Sequence, residues 1–404
     1  MSTSLLYHGF GIRGYQYVRT EYVEGGVVFT ILQDSKRYRC PACGGRNVIL
    51  KGGVTRRFRG LPIGGKKTTF VFRVPRIKCH DCNVVRQTAL GFADPRRTYT
   101  RGFAQYVLHL ARMMTIQDVA LHLGVSWDVV KEIVKNDLQR RFSHPKLKGL
   151  RQIAIDEIAI GKGHRYLTIV LDLETGIVVH VGHGKGGEAL MDFWKRLRRC
   201  GVKIEAVATD MSPAYIEAVT THLPGAVLVF DRFHVTKLFN EKLSDLRREL
   251  YRTTKDGLER DVLKGSRWLL LKRPENLDAS RNEHQRLEDA LRLNTPLAMA
   301  YYLKEELGEF WEQDSQEEAE AFLLDWILRA ESTGIRILHQ FARTLRFHAH
   351  GLLAYYDYAI STGPLEGINN KIKTMKRQAY GYRDHPFFIL KIYALHEARY
   401  ALVG

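Results

Sequence analysis

Three carboxylates in this chain sit where phosphoryl chemistry would need them. Asp156 ends the apolar run Ile153-Ala154-Ile155 and lies inside a strand-like segment. Asp210 ends Ala206-Val207-Ala208-Thr209, at the tip of another. Glu366 lies in Ser361-Thr362-Gly363-Pro364-Leu365-Glu366, where a helix begins. A carboxylate inside an apolar strand is costly unless it is paired or metal-bound. In an α/β sheet, chemistry collects at the carboxyl ends of strands, and a neighbouring helix can offer a third carboxylate to the same point. Three such groups would hold two Mg²⁺ (or Mn²⁺) ions, hard cations that take oxygen ligands. Ions about 3.5–4 Å apart activate the attacking oxygen and stabilise the leaving one in an in-line phosphoryl displacement.

Each residue also has a plainer role open to it. Asp156 can be a capped strand end, with Glu157 the exposed alternative. Asp210 can cap the helix that starts near Ser212-Pro213. Glu366 can simply offset the helix dipole in a first turn. Asp231 and His234, in Asp-Arg-Phe-His, follow the fifth strand of the region. Two readings stand side by side for them: an auxiliary place in the site, with His234 against phosphate or a ligating carboxylate, or a helix cap and a satisfied histidine.

The cysteines give a second chemistry. Cys40-Pro-Ala-Cys43 and Cys79-His-Asp-Cys82 are two CxxC turns separated by 35 residues. Tetrahedral Zn²⁺ wants four soft ligands, and each turn supplies two. One structural zinc in a ribbon-like module is expected, closed to chemistry because a Cys₄ site leaves no open position. His80 sits between ligands without being one, and Cys200 is expected to be a buried or half-buried thiol.

The elements that must carry these residues fall into distinct textures. VVFTIL (27–32) and FVFRV (70–74) read as strands, and residues 96–142 as helical. Thr115 to Val134 carry a helix-turn-helix pattern: Thr115 caps, Val119, Ala120 and Leu123 face inward, Gly124 takes the left-handed turn, and Ser126 caps the second helix. In the DNA-binding version that helix enters the major groove, with Ser126, Trp127 and Lys131 as candidate contacts. From residue 150, RQIAIDEIAI, RYLTIVLDLETG and IVVHVGHG follow one another as a meander. A helix (188–200), a strand, a helix (213–223) and AVLVFDRFH come next, the order of a mixed α/β sheet. Residues 237–360 read as helical, and a last helix runs from Pro364 through NNKIKTMKRQAYGYR (369–383). On it, Leu365, Ile368, Ile372 and Met375 make a packing stripe, while Glu366, Asn370, Lys373 and Arg377 share another face, with Lys376 beside them, suited to a DNA backbone.

Composition agrees with a nucleic-acid partner. Sixty-two Lys and Arg against 44 Asp and Glu leave a net charge of +18. No run approaches the ~18 apolar residues that span a bilayer, so no membrane partner is expected. The first residues lack a basic stretch followed by an apolar one, and a cytoplasmic protein of the bacterial nucleoid is expected. Gly182-His-Gly-Lys-Gly-Gly187 lacks the order of a phosphate loop and reads as a turn. Tyr380 and Tyr382 lack the Arg/His set of a tyrosine recombinase, and Trp311 and Trp326 read as helical core.

The tail STGPLEGINNKIKTMKRQAYGYRDHPFFILKIY (361–393), with VFDRFHVTKLFN (229–240) and WLLLKRPENL (268–277), closely resembles the ISL-three family of bacterial insertion-sequence transposases. The resemblance covers nearly the whole chain and implies a multidomain α/β protein. Residues 1–95 would form a zinc-binding module and 96–147 the helix-turn-helix. An RNase H-like catalytic domain would begin over 148–236, be interrupted by an all-α insertion over 237–355, and resume over 356–404 with the glutamate. It implies that Asp156, Asp210 and Glu366 are the catalytic metal-binding trio. The expected reaction is cleavage and strand transfer at terminal inverted repeats bound as double-stranded DNA, then joining to target DNA, by a homodimer or larger assembly.

Overall fold

The computed structural model describes residues 5–161, 163 and 165–397. They form two units, one built from the chain up to Ser143 and from Thr374–Ala394, the other from His144–Lys373 and Leu395–Glu397.

In the first unit a short helix, α1 (Leu5–His8), precedes five strands: β1 (Tyr15–Val23), β2 (Gly26–Gln33), β3 (Val48–Ile63), β4 (Lys66–Cys79) and β5 (Val85–Gln87). They make one sheet in the order β1-β2-β4-β3, with β5 also on β4. Alternation in β4 sends Phe70, Phe72 and Val74 to one face, where they meet Phe29, Phe58 and Phe92. Three helices follow: α2 (Arg101–Leu110), α3 (Ile116–Leu123) and α4 (Trp127–Phe142). The caps between α3 and α4 are the ones the sequence offers. Thr115 Oγ1 accepts from the Asp118 amide, Gly124 sits at φ 59°, and Ser126 Oγ accepts from the Val129 amide. A side chain at Gly124 would resist that left-handed turn.

The second unit is built on β6 (Gln152–Gly161), β7 (Arg165–Asp172), β8 (Val178–His183), α5 (Met191–Cys200), β9 (Ala206–Thr209), α6 (Pro213–His222) and β10 (Val227–Phe230). The sheet order is β10-β9-β6-β7-β8. β6, β7 and β8 pair antiparallel, whereas β6, β9 and β10 are parallel. β6 is therefore the hinge between a meander and two crossovers, and its inner residues are fully buried, as parallel neighbours require. Phe193, Trp194 and Leu197 of α5 and Tyr215 and Val219 of α6 cover the sheet.

After β10 the chain is helical: α7 (Arg232–Thr253), α8 (Gly257–Gly265), α9 (Glu283–Leu293), α10 (Thr295–Glu306), α11 (Gln316–Ser332), α12 (Arg336–Phe347) and α13 (Ala349–Leu353). Their core centres on Phe239, Trp326 and Phe341, and Trp311 is buried with them. α14 (Gly363–Gln378) and α15 (His385–Tyr393) end the described chain.

Three expectations change. The final helix is two helices: α14 stops at Gln378, because Tyr380 and Gly381 take positive φ, and Asp384 caps α15 by accepting from the Phe387 amide. Cys200 is exposed; Gly201 turns left-handed immediately after it and ends the buried stripe of α5. The segment 96–142 is not one helical run but starts its first helix at Arg101. Of the turn expected over Gly182–Gly187, Gly184–Gly186 is the bend, because Gly182 and His183 still belong to β8 and Gly187 opens a short 3₁₀ turn. Among the described residues no helix is long and apolar enough to cross a membrane.

Candidate active site and metal centre

The four cysteines meet. Cys40 Sγ lies 3.6 Å from Cys82 Sγ, and Cys43 Sγ lies 3.6 Å from Cys79 Sγ. All four sulfurs fall within 4.8 Å of one another. Zinc bonds of about 2.3 Å in a tetrahedron put sulfurs roughly 3.8 Å apart, so the donor set and its spacing fit Zn²⁺. The long β3–β4 hairpin brings them together: Cys79 ends β4 opposite Val48, the first residue of β3. The loop at Cys40 closes on itself, with the Gly44 amide on the Cys40 carbonyl and the Cys40 amide on the Gly45 carbonyl. His80 is outside the cluster, its amide spent on Asn47.

The carboxylates are organised by β6 and its parallel neighbour β9. Ala154 pairs with Ala208, so Asp156, on β6, and Asp210, just past the end of β9, each stand two residues beyond that pair and close enough to interact. Asp156 is largely buried, and burial pushes its carboxyl up to about 6. His234 and the Glu157 amide pull the other way, while Asp210 adds to the rise. Its Oδ1 accepts from the Glu157 amide at 2.8 Å and lies 4.0 Å from His234 Nε2. Its Oδ2 accepts from Asn369 Nδ2 at 2.8 Å. Each oxygen keeps a lone pair, and a second carboxylate stands alongside. That is a hard-oxygen donor set suited to Mg²⁺. Glu157 points to the opposite face, where it interacts with the Tyr215 hydroxyl. Asp210 accepts from the Ser212 amide at 3.0 Å, ahead of α6.

Glu366 occupies the first turn of α14, half-buried, its amide on the Thr362 carbonyl. Asn369, one turn on, carries the helix's direct contact with Asp156. Among the described residues only the cysteines form a tight cluster of three or more metal-ligand atoms, so Asp156, Asp210 and Glu366 are not drawn together to that spacing. Asn369, to which sequence reading gives no role, is the residue it misses. It is 5% exposed. Its i, i+3 spacing from Glu366 was the available signal.

Asp231 is 2% exposed and does two jobs. Its Oδ2 accepts from the Phe233 amide at 3.1 Å, capping α7, and its Oδ1 accepts from the Thr362 amide at 2.9 Å. It thus fixes the chain just ahead of α14, while its own amide bonds Thr209, the residue before Asp210.

The candidate DNA contacts divide. Ser126 spends its hydroxyl as a cap, and Trp127 is exposed. Lys131 is not a free cation: its Nζ lies 2.9 Å from Asp384, which also holds Lys135 at 2.8 Å, and 5.2 Å over the Trp127 ring. The two lysines hold the Asp384 carboxyl well below the usual carboxylate range despite its partial burial. Asn370, Lys373 and Arg377 are exposed on α14 and Lys376 is half-buried, opposite buried Leu365, Ile368, Ile372 and Met375.

Three family models match this chain: a transposase over residues 153–392, the helix-turn-helix domain of transposase family ISL3 over 88–137, and the zinc-finger of transposase IS204/IS1001/IS1096/IS1165 over 36–82. The chain is 34% identical over 392 residues to the transposase for insertion sequence element IS1001 of Bordetella parapertussis, covering 95% of itself and 96% of that protein. It is 28% identical over 375 residues to the transposase for insertion sequence element IS1557 of Mycobacterium tuberculosis, covering 86% and 83%. A solved Drosophila P element transposase strand transfer complex aligns with a TM-score of 0.33 and 11% identity, over 62% of this chain and 78% of that one.

Proposed function

The chain belongs to the transposase family ISL3, and from that premise we propose that it cuts and joins the ends of an insertion sequence at a site formed by Asp156, Asp210 and Glu366. The observation that carries the site is Asp156: a carboxylate buried on the central strand, close enough to Asp210 to interact and bonded to the helix that bears Glu366. The order β10-β9-β6-β7-β8 favours an RNase H-like reading of residues 148–236, with 237–355 as an all-α insertion and 356–404 returning the glutamate. Residues 1–95 and 96–147 would recognise the terminal inverted repeats as double-stranded DNA, the zinc serving the fold. Two ends must be cut together, which calls for a dimer or larger assembly, at work in the cytoplasm on the nucleoid.

Two Mg²⁺ ions held by the three carboxylates would supply charge neutralisation and activation of the attacking oxygen. The chain's own residues do the positioning. Asn369 orients Asp156 by donating to Oδ2, while its own Oδ1 is buried without a partner among the described residues. His234 stands within a proton's reach of Asp156 through one water. Asp231 holds the end of β10 and the approach to α14 to one another.

A cleavage-and-joining assay with Mg²⁺ on DNA carrying the element's ends tests the reading, run on wild type beside Asp156→Asn, Asp210→Asn and Glu366→Gln. Cutting and strand transfer by wild type alone is the expected result. Cutting without joining would make the protein a nuclease, and normal cutting by Asp210→Asn would overturn the site.

A further inference from the structure

α7 leaves the sheet beside the carboxylates and runs outward, and one of its faces lines a groove. Phe233, Lys237, Asn240 and Arg248 recur on that face, and Arg267 closes the far side. The groove encloses about 400 Å³, within the range of built ligand clefts. It starts next to the carboxylate site: the Phe233 ring is 5.6 Å from that of His234, which faces Asp156. From Phe233 to Arg248 the helix rises about 22 Å at 1.5 Å per residue.

Its chemistry is specific. Phe233 is 45% exposed, and Trp268, the neighbour of the lining residue Arg267, is 64% exposed. The Arg267 guanidinium lies 4.6 Å over the Trp268 ring. Asn240 Oδ1 is buried without a partner among the described residues. The lining holds Lys237, Arg248 and Arg267 against one carboxylate, Glu241. Arg247 adds a third guanidinium to this cluster: burial first, then Arg267 and Arg248, push its pKa down. Four cations, Lys237, Arg247, Arg248 and Arg267, against two carboxylates, Glu241 in the lining and Asp245 on Arg248, leave positive charge for an anion. Flat exposed rings interleaved with cations suit a strand whose bases are unstacked, because a duplex hides its base faces.

We propose that this groove binds a DNA strand with unpaired bases next to the phosphate being cut, stacking bases on Phe233 and Trp268 and holding phosphates with Lys237, Arg248 and Arg267. The proposal rests on the transposase reading for its ligand and not on the choice of catalytic carboxylates.

The test uses the full zinc-loaded chain in Mg²⁺-free buffer and a labelled 12-nucleotide oligodeoxythymidine, read by anisotropy at several salt concentrations. Phe233→Ala and Trp268→Ala are each expected to weaken binding about tenfold, with Trp268→Phe recovering most of it. The double variant Lys237→Ala/Arg267→Ala is expected to weaken it further and flatten the salt dependence by roughly two charges. Lys203→Ala, an exposed cation elsewhere in the unit, controls for charge. Wild-type affinity in all the groove variants overturns the proposal, as does equal competition by a 12-base-pair duplex. If the joining assay fails for wild type while oligonucleotide binding still follows the groove residues, the transposition reading falls and the groove stands. If joining proceeds and the groove variants bind normally, the groove alone falls.

Discussion

Replacing Asp156 with Asn is expected to stabilise the protein while abolishing cleavage. Burial raises the folded-state carboxyl from its ordinary 3.8 to about 6. The unfolded chain therefore releases this proton first as pH rises, and between those values the folded state holds more protons. Stability from this group is fully present below about pH 4 and is lost as pH climbs through 6. Each tenfold difference in proton affinity is worth about 1.4 kcal/mol, so the loss at pH 7.5 is about 3 kcal/mol. The side chain is only 16% exposed, which leaves little solvent screening to discount. Asn keeps an oxygen for the Glu157 amide, carries no charge to desolvate, and donates its NH2 to the otherwise unpartnered Asn369 Oδ1 once that amide turns over. At about 2–4 °C per kcal/mol for a unit of this size, the variant should melt roughly 6–12 °C higher at pH 7.5. At pH 5 about half of that gap should remain. Calorimetry in Mg²⁺-free buffer reads both values. Adding Mg²⁺ should then raise the wild type and close the gap, because only the carboxylate form binds the ion. A variant that melts at or below wild type at pH 7.5, or a gap that ignores pH, would refute the reasoning.

Three further outcomes follow from the same structure. Cys79→Ser should lower zinc content by elemental analysis and expose the chain up to about residue 95 to protease, because a closed zinc site contributes folding energy directly. Gly182→Ala should cost about 1–3 kcal/mol in urea denaturation, since a Cβ there would lie 2.0 Å from the Ala189 carbonyl oxygen. Asp231→Ala strands the buried amide of Thr362, at about 1–3 kcal/mol, and removes the cap of α7 at Phe233, so it should lower strand transfer together with stability; a loss of transfer at wild-type stability would mean a direct chemical role instead.

What was legible follows from how local each signal is. The cap at Thr115, the turn at Gly124 and the cap at Ser126 are contacts over three residues, and they form as the sequence implies. The stripe of Leu365, Ile368, Ile372 and Met375 is set by helical period alone, and all four are buried. The strand placing Asp156 and the tip bearing Asp210 were readable from apolar runs with a charge at the end. Long-range partners were not. The Lys131 ammonium reads as a DNA contact until Asp384, from the far end of the chain, is found beside it. Asn369 reads as one more polar residue on a basic helix, and only tertiary placement gives it Asp156. The break after Gln378 turns on a left-handed Tyr380, a conformation that side chains rarely take and that no pattern announces.

Asp231 shows how the chain accommodates what lies between β10 and α14. One oxygen of this residue starts α7 and the other receives Thr362, 131 residues later. The helices α7 to α13 are thus an excursion that leaves and returns within a single side chain. Closing a long loop costs little more than closing a short one, because the entropy grows only with the logarithm of length. Those helices also bury a core around Trp326, which Phe230 of β10 joins. The length of the excursion is then nearly free to vary, provided its two ends are pinned. That assigns the geometry of Glu366 relative to Asp156 to the short contacts at the pin, Asp231 with Thr362 and Asn369 with Asp156, and leaves the outer face of α7 available for binding.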